Sequence, residues 1–361
     1  FLLYLKGTKS FLKKHLRQLC REFQMRIVKL EQGTKEWLEW RRQGITATES
    51  SVILGLSPYK TVWRLWLEKL QKALPPDLSN NPLVRYGKET EAIARSLFEF
   101  EFGEVLFPTC AEYDENPIFR ASFDGLTSDG SPVEFKCPGS SVLEEVKNLG
   151  LESEAAKHYS VQVQHQLLVS GSPKGWLVFF DGGTQKLLTF EIVRNDALIQ
   201  DIVSRGEEFW NLNIKKGKEP AKDPVRDIYI PKKDEDVSKW CRLASDFNYA
   251  NNRVLELQTE IDDLNKIRDK CKEELSEMMG DYRLADFAGV ALTKRLTKGK
   301  VDYKSFLKSK NLSEKELDPF RGNQTESWLI RSTGDYLPKD FIDEELEAEI
   351  RSVKVSEPMW Y

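Results

Sequence analysis

The stretch FRASFDGLTSDGSPVEFKCPG, residues 119–139, constrains this chain more than any other. Two short strand signals flank a tight Ser128-Asp129-Gly130 turn, so they pair as a hairpin. Strand-like runs surround it: EVLFPTCAEYD before, KGWLVFFDG and KLLTFEIV after. Between the third and fourth strands lies a helical segment, about residues 155–170. Helical patterns also run over 35–42, after a Thr46 or Thr48 cap, through TVWRLWLEKLQKAL, and over about 84–102. ALIQDIVSRGEEFWNLN closes the core as a helix. The expected fold is a mixed α/β core, a central mixed sheet with helices on both flanks.

Composition narrows the function classes. The chain is 40% apolar and 31% charged, with a net charge of −4. That excludes a generally basic DNA-coating protein, though an acidic enzyme can still carry a local basic groove. No run of about 18 apolar residues suggests a membrane span. Five scattered cysteines without metal spacing fit a reducing compartment. Three histidines are too few for a histidine-rich zinc site.

The hairpin brings chemistry with it. In a twisted hairpin, Asp124 and Glu134 can converge on one hard cation such as Mg²⁺, which takes oxygen ligands. Phe135 must point the other way, into the core, while its carbonyl can face the ion. Lys136 returns to the site two residues after Glu134. A lysine there can orient the attacking water or help to deprotonate it. Glu89, on the long helix, is the expected third carboxylate, with Glu91 the competing choice. An ordinary surface hairpin with solvated charges is the bland alternative. Asp plus Glu-x-Lys is a weak pattern by itself.

Beyond the core, residues 214–236 are polar and proline-containing, and read as a linker. From Leu243 the apolar positions Phe247, Ala250, Val254, Leu257, Ile261, Leu264, Cys271, Leu275 and Met278 alternate spacings of four and three, interrupted by Arg268. This is a heptad seam, able to pack within the chain or on another subunit. A small basic hairpin is expected in GVALTKRLTKGK, and the acidic IDEELEAEI reads as a solvated helix face. The organisation is thus an N-terminal extension over 1–24, a nuclease-type domain over 25–213, a linker over 214–236, and a helical C-terminal extension over 237–361. Residues 1–24 are apolar and basic without a cleavage site. An ordinary N-terminal helix is the alternative there.

Five ordered blocks carry a resemblance: WLEWRRQGITATESSVILGLSPYKTVWRLW, YGKETEA, FRASFDGL, VEFKCP and YSVQVQHQLLVSG. Over about residues 31–212 the chain resembles the YqaJ-type viral recombinase nucleases, relatives of phage lambda exonuclease within the PD-(D/E)xK group. Phe123 stands where that group usually has proline. The resemblance implies a restriction-endonuclease-like core and a Mg²⁺-dependent exonuclease, with Mn²⁺ able to substitute. Such an enzyme degrades the 5′ strand of linear double-stranded DNA and leaves a 3′ overhang for a single-strand annealing protein. It implies Asp124 and Glu134 as metal carboxylates, Lys136 as the catalytic lysine and Glu89 as the helix glutamate. Arg41, Thr48, Ser122 and Gln162 fall where the family recognises the 5′-phosphate, with threonine at 48 in place of the usual serine. Tyr159, Gln162 and Gln166 share a helix face by three- and four-residue spacing, and Gln164 is a second choice. Arg42 is the alternative to Arg41, and His165 reads as a packed histidine. A homo-oligomer, in the family often a toroidal trimer, and a cytoplasmic setting in a bacterial or phage-infected cell complete the expectation. The competing readings are a restriction-like or structure-specific endonuclease and a non-catalytic DNA-end binding or scaffolding protein.

Overall fold

The computed structural model describes residues 25–300 and 302–353; the extension expected over 1–24 lies outside them. Among the described residues, one compact unit runs from Met25 to Ile230 and takes in Leu337–Glu344. A second holds Pro231–Tyr336 and the residues from Glu345 onward. No helix among the described residues is long and apolar enough to cross a membrane.

The first unit is a mixed sheet flanked by helices. Its elements are β1 (Met25–Val28), α1 (Lys35–Arg42), β2 (Ile45–Thr46), α2 (Ala47–Ile53), α3 (Val62–Lys69), α4 (Pro82–Phe102), β3 (Thr109–Tyr113), β4 (Phe119–Phe123), β5 (Gly125–Leu126), β6 (Pro132–Lys136), α5 (Ser140–Leu149), α6 (Glu154–Ser170), β7 (Lys174–Asp181), β8 (Lys186–Val193) and α7 (Asp196–Glu208). A π-helical turn, Phe209–Lys215, extends α7. The helices begin where capping chemistry allows. Thr34, Thr61, Asn81, Ser153 and Asn195 each accept a backbone N–H from the first turn they precede.

Strand pairing explains the position of the hairpin. One sheet runs β1-β3-β4-β2 and the other β5-β6-β7-β8. β4 and β5 are separated by Asp124 alone, so the chain passes from one sheet to the other at that residue. Phe107, just before β3, exchanges backbone hydrogen bonds with Leu126 at 3.0 and 3.2 Å and ties the corner down. β6 and β7 are parallel, with Glu134 opposite Leu177. The α5 and α6 helices make the crossover between them.

Alternation sets the faces of the strands. Phe119, Ala121 and Phe123 are buried on one side of β4, while Arg120 and Ser122 are half-buried on the other. Phe119, Phe123, Leu126, Leu167, Leu177 and Phe179 are fully buried in the main core. α6 crosses it and is buried all round from Val161 to Ser170. A helix in that position must bury its polar side chains too, and each needs a partner. The stretch after α7 has no helix or strand from Gly217 to Pro231, yet it stays on the first unit. There Trp63 Nε1 donates to Glu219 at 2.8 Å, and Arg226 donates to the Ser57 carbonyl at 2.9 Å. Residues 337–344 return to this unit through a bridge between Ala73 and Phe341 and an ion pair from Arg64 to Asp340.

In the second unit, α8 (Asp234–Met279) is followed by β9 (Leu284–Phe287), β10 (Val290–Thr293) and α9 (Tyr303–Ser309). The hairpin forms one strand earlier than its basic residues suggest. Ala288 and Gly289 both adopt positive φ, 50° and 79°, as a two-residue hairpin turn requires. The basic run Lys294–Lys300 then follows β10 as irregular chain. The acidic segment near the C-terminus forms α10 (Glu344–Ser352), which buries no residue.

Candidate active site

Asp124 occupies the corner between β4 and β5, and its Oδ2 accepts the Phe135 backbone N–H at 3.0 Å. Glu134 lies on β6 with its side chain 3% exposed. Lys136 Nζ donates to Glu134 Oε1 at 2.5 Å and sits 4.7 Å from the centre of the Tyr159 ring. Phe135, between them, packs edge-on against Phe98 on the opposite face. The hairpin therefore gathers Asp124, Glu134 and Lys136 into one cluster.

Helix α6 supplies two donors to that cluster. Gln162 Nε2 donates to Glu134 Oε1 and Gln166 Nε2 to Glu134 Oε2, both at 2.6 Å. Oε1 thus accepts from Lys136 and Gln162, whereas Oε2 accepts from Gln166 alone. The Gln166 Oε1 atom is buried without a hydrogen-bond partner. Gln162 was expected at the 5′-phosphate; the structure places its amide on the carboxylate instead. Gln164 points away, bridging the Val193 carbonyl at 2.7 Å and the Asn195 N–H at 2.8 Å. It fastens α6 to the end of β8.

Electrostatics mark the cluster as strained without a further positive charge. Burial pushes the Asp124 carboxyl well above its ordinary range, and Glu134 adds to the shift; Lys136 opposes it. Burial pulls the Lys136 ammonium down, but Glu134 and Asp124 outweigh it and hold the group above the usual lysine range. Glu91 also raises Asp124. Glu89, the expected helix carboxylate, lies on the exposed side of α4. Glu91 shares the inward face with Ala94 and Phe98, at spacings of three and seven, and pairs with Arg95 at 2.8 Å. It is Glu91 that the fold turns toward Asp124, and the register of α4 decides the matter.

Among the described residues, no three or more carboxylate, imidazole or thiolate groups converge as a ready metal cage. The donor set nevertheless fits a hard ion that keeps several waters, because such an ion binds through one or two carboxylates. Asp124 and Glu134 supply those oxygens, and their mutual repulsion is what a cation relieves.

A second cluster flanks the first. Arg41 Nη2 donates to Thr48 Oγ1 at 3.0 Å and to Thr46 Oγ1 at 3.4 Å. The guanidinium lies over the Trp37 ring at 4.5 Å, and Trp37 Nε1 donates to Ser122 Oγ at 2.8 Å. Ser122 and Asp124 are two residues apart, about 7 Å along an extended chain. Arg42 is engaged elsewhere, by Glu39 on its own helix. The turn between α1 and α2 is fixed from beneath. Lys69 Nζ donates to the Arg41 carbonyl at 2.8 Å and the Gly44 carbonyl at 2.7 Å, and pairs with Glu49 at 2.8 Å. Glu49 also accepts the Thr46 N–H at 2.9 Å. Burial lowers the Lys69 pKa despite Glu49. Burial alone would raise Glu49, but Lys69 and Arg41 hold it below its ordinary range. Gly44 has no room for a side chain: a Cβ there would lie 2.5 Å from the Ile118 carbonyl oxygen.

His165 is fully buried, with Nδ1 2.6 Å from Ser50 Oγ and Nε2 3.0 Å from the Arg120 carbonyl. The carbonyl requires a proton on Nε2, so Nδ1 accepts from the serine. Burial lowers its pKa to about 4. It is a packed core histidine. Trp37, Glu49, Lys69 and Gln32, which donates to the Phe123 carbonyl at 3.0 Å, complete the site's surroundings. No spacing rule marks them in the sequence.

Comparison with known proteins agrees with the five-block resemblance. Residues 36–173 match the YqaJ-like viral recombinase domain. The uncharacterized protein YqaJ of Bacillus subtilis (strain 168) is 29% identical over 272 residues, which is 70% of this chain and 83% of that protein. The uncharacterized protein R354 of Acanthamoeba polyphaga mimivirus is 32% identical over 162 residues, 40% of this chain and 28% of that longer protein. Among solved structures, an alkaline exonuclease (LHK-Exo) from Laribacter hongkongensis aligns at 24% identity over 50% of this chain and 92% of its own, with a TM-score of 0.42. A phage related exonuclease from Haemophilus somnus 129PT aligns at 15% identity over 48% and 96%, with a TM-score of 0.39.

Proposed function

We propose that this chain, which carries a YqaJ-like viral recombinase domain, is a Mg²⁺-dependent deoxyribonuclease that digests linear duplex DNA from its 5′ ends. The product is a 3′ overhang, the substrate of a single-strand annealing protein, within the cytoplasm of a bacterial or phage-infected cell. The observation that carries the reading is the adjacency of the two clusters. An acidic pair with a lysine lies one strand repeat from an arginine framed by hydroxyls and an indole.

Arg41 offers a planar fork to the extra charge of a terminal phosphate, and Thr48 and Ser122 offer hydroxyls beside it. Trp37 holds the guanidinium from behind and the Ser122 hydroxyl from the side. A phosphate held there brings the first phosphodiester toward Asp124. Asp124, Glu134 and the Phe135 carbonyl would hold the ion, with Glu91 the nearest further carboxylate. The ion, when bound, acidifies the attacking water and neutralises charge on the phosphorus oxygens. Lys136 contributes a fixed ammonium and its N–H donors, which orient water and offset the charge building on the phosphate. Gln162 and Gln166 keep the Glu134 carboxylate in one orientation.

The test is digestion of end-labelled linear duplex beside a covalently closed circle, with and without Mg²⁺. Loss of label from linear DNA alone, only with the ion, supports the reading. Cutting of the circle at a similar rate replaces it with an endonuclease, and binding without cutting replaces it with an end-binding protein.

A further inference from the structure

Helix α8 has 46 residues and, among the described residues, buries Val237 alone. Its seam is open to solvent where its heptads are most regular. From Val254 to Met278 the a positions are Val254, Ile261, Arg268 and Leu275, and the d positions are Leu257, Leu264, Cys271 and Met278. Val254 and Leu264 are each 61% exposed, Ile261 49% and Met278 84%. An apolar stripe about 36 Å long, at 1.5 Å per residue, is more than scattered surface leucines account for.

We infer that α8 pairs with the same helix of a second copy of this chain, as a parallel, in-register, two-stranded coiled coil. Side-chain shape selects the number of strands. Branched Val254 and Ile261 at a with Leu257 and Leu264 at d favour two parallel strands. Arg268 is tolerated at a because its guanidinium already turns out of the seam, to Asn265 Oδ1 at 3.0 Å. In a two-stranded coil that exit stays open to water, whereas a third strand would close on it.

Charge selects the direction. In a parallel pair, each g residue faces the e residue five positions later on the other helix. That sets Arg253 against Gln258, Glu260 against Asn265 and Ile267 against Lys272. No like charges meet. An antiparallel pair overlapping the same open seam would instead set Glu260 against Glu274, a repulsive contact repeated by symmetry.

Cys271 makes the register measurable. It is an exposed free thiol at a d position. In a parallel, in-register pair it faces its own copy, within disulfide reach. Diamide would oxidise the two thiols, taking up two electrons and two protons as it becomes the hydrazine. The experiment combines light scattering on the full chain with non-reducing gels after brief diamide treatment. Wild type is expected as two copies and as a covalent dimer. Cys271→Ser should remain two copies but lose the covalent link, while Cys241→Ser keeps both. Ile261→Asp, at an exposed position, should halve the mass without changing the circular dichroism of the nuclease core. A single-copy wild type overturns the inference, as does a three-copy particle, a dimer unaffected by Ile261→Asp, or a dimer whose cross-link does not depend on Cys271.

Discussion

The Gln166 carboxamide donates to Glu134 Oε2 over 2.6 Å, joining a buried helix to a strand 32 residues earlier. The same carboxamide leaves its oxygen without a partner, a costly arrangement in a core. That cost is sustained because the donor fixes the one Glu134 oxygen that neither Lys136 nor Gln162 occupies.

Gln166→Met should therefore raise the Mg²⁺ concentration for half-maximal cleavage by about tenfold or more, the usual effect of removing a group that orients a metal ligand. Gln164→Met, whose amide serves the β8 end, should lower the thermal midpoint and leave Mg²⁺ dependence alone. Calorimetric titration with Mn²⁺ separates the two; equal Mn²⁺ affinity in wild type and Gln166→Met would refute the positioning role.

Asp124→Asn should abolish Mg²⁺-dependent cleavage while leaving the fold intact. It removes a buried carboxyl that burial and Glu134 both disfavour as an anion. Thermal stability without metal should stay level or rise, by roughly 1 kcal/mol. Cleavage by folded Asp124→Asn at the wild-type rate would dismiss the carboxylate assignment.

The two helix carboxylates separate cleanly. Glu91→Gln should slow cleavage markedly, since Glu91 lies in the field of Asp124. Glu89→Gln should match wild type in initial rate at saturating Mg²⁺. The reverse ranking would return the role to Glu89.

Arg41→Ala should erase the preference for a 5′-phosphate over a 5′-hydroxyl end. Truncating one member of a well-bonded charge pair costs about 2 kcal/mol or more, roughly a thirtyfold change in the ratio of initial rates. Arg42→Ala, whose guanidinium is engaged by Glu39, should keep the preference. An unchanged ratio in Arg41→Ala would remove the phosphate pocket from the mechanism.

His165 gives a pH signature. Its folded pKa is depressed to about 4, so the unfolded chain, near 6.5, binds the proton first on acidification. Its contribution to stability is complete above about pH 6.5 and is lost as the pH falls toward 4, roughly 3 kcal/mol in all. Urea titrations at pH 7 and pH 5 should show a steeper loss for wild type than for His165→Gln. Parallel losses would show that other groups set the acid sensitivity.

Much of this was legible in the chain itself. The strand signals, the Ser-Asp-Gly turn and the two-residue step from Glu134 to Lys136 come from local periodicity, which the hairpin preserves. Asp124, Glu134 and Lys136 fall together for that reason. Glu89 and Glu91 differ only in the angle at which α4 meets the sheet, and no local pattern fixes a helix's rotation to within two residues. Gln162 and Gln166 were found as a face, but what the face meets depends on α6 crossing beneath β6. Lys69 carries no signal at all: on sequence it is one more basic residue ending an amphipathic helix. β1 and α5 went unread because a four-residue strand and a short helix rest on tertiary contacts more than on propensity.

The buried Lys69 ammonium has a consequence for how fast the enzyme can engage an end. It holds the backbone at both Arg41 and Gly44 before any DNA arrives, so the arginine needs no loop to fold around its target. A site rigid in advance loses little conformational freedom on capture. Encounter with a DNA end is then governed by diffusion and orientation rather than by waiting for the pocket to form. A chain with Lys69 replaced would pay that delay at every new end, and it would be felt most when ends are scarce.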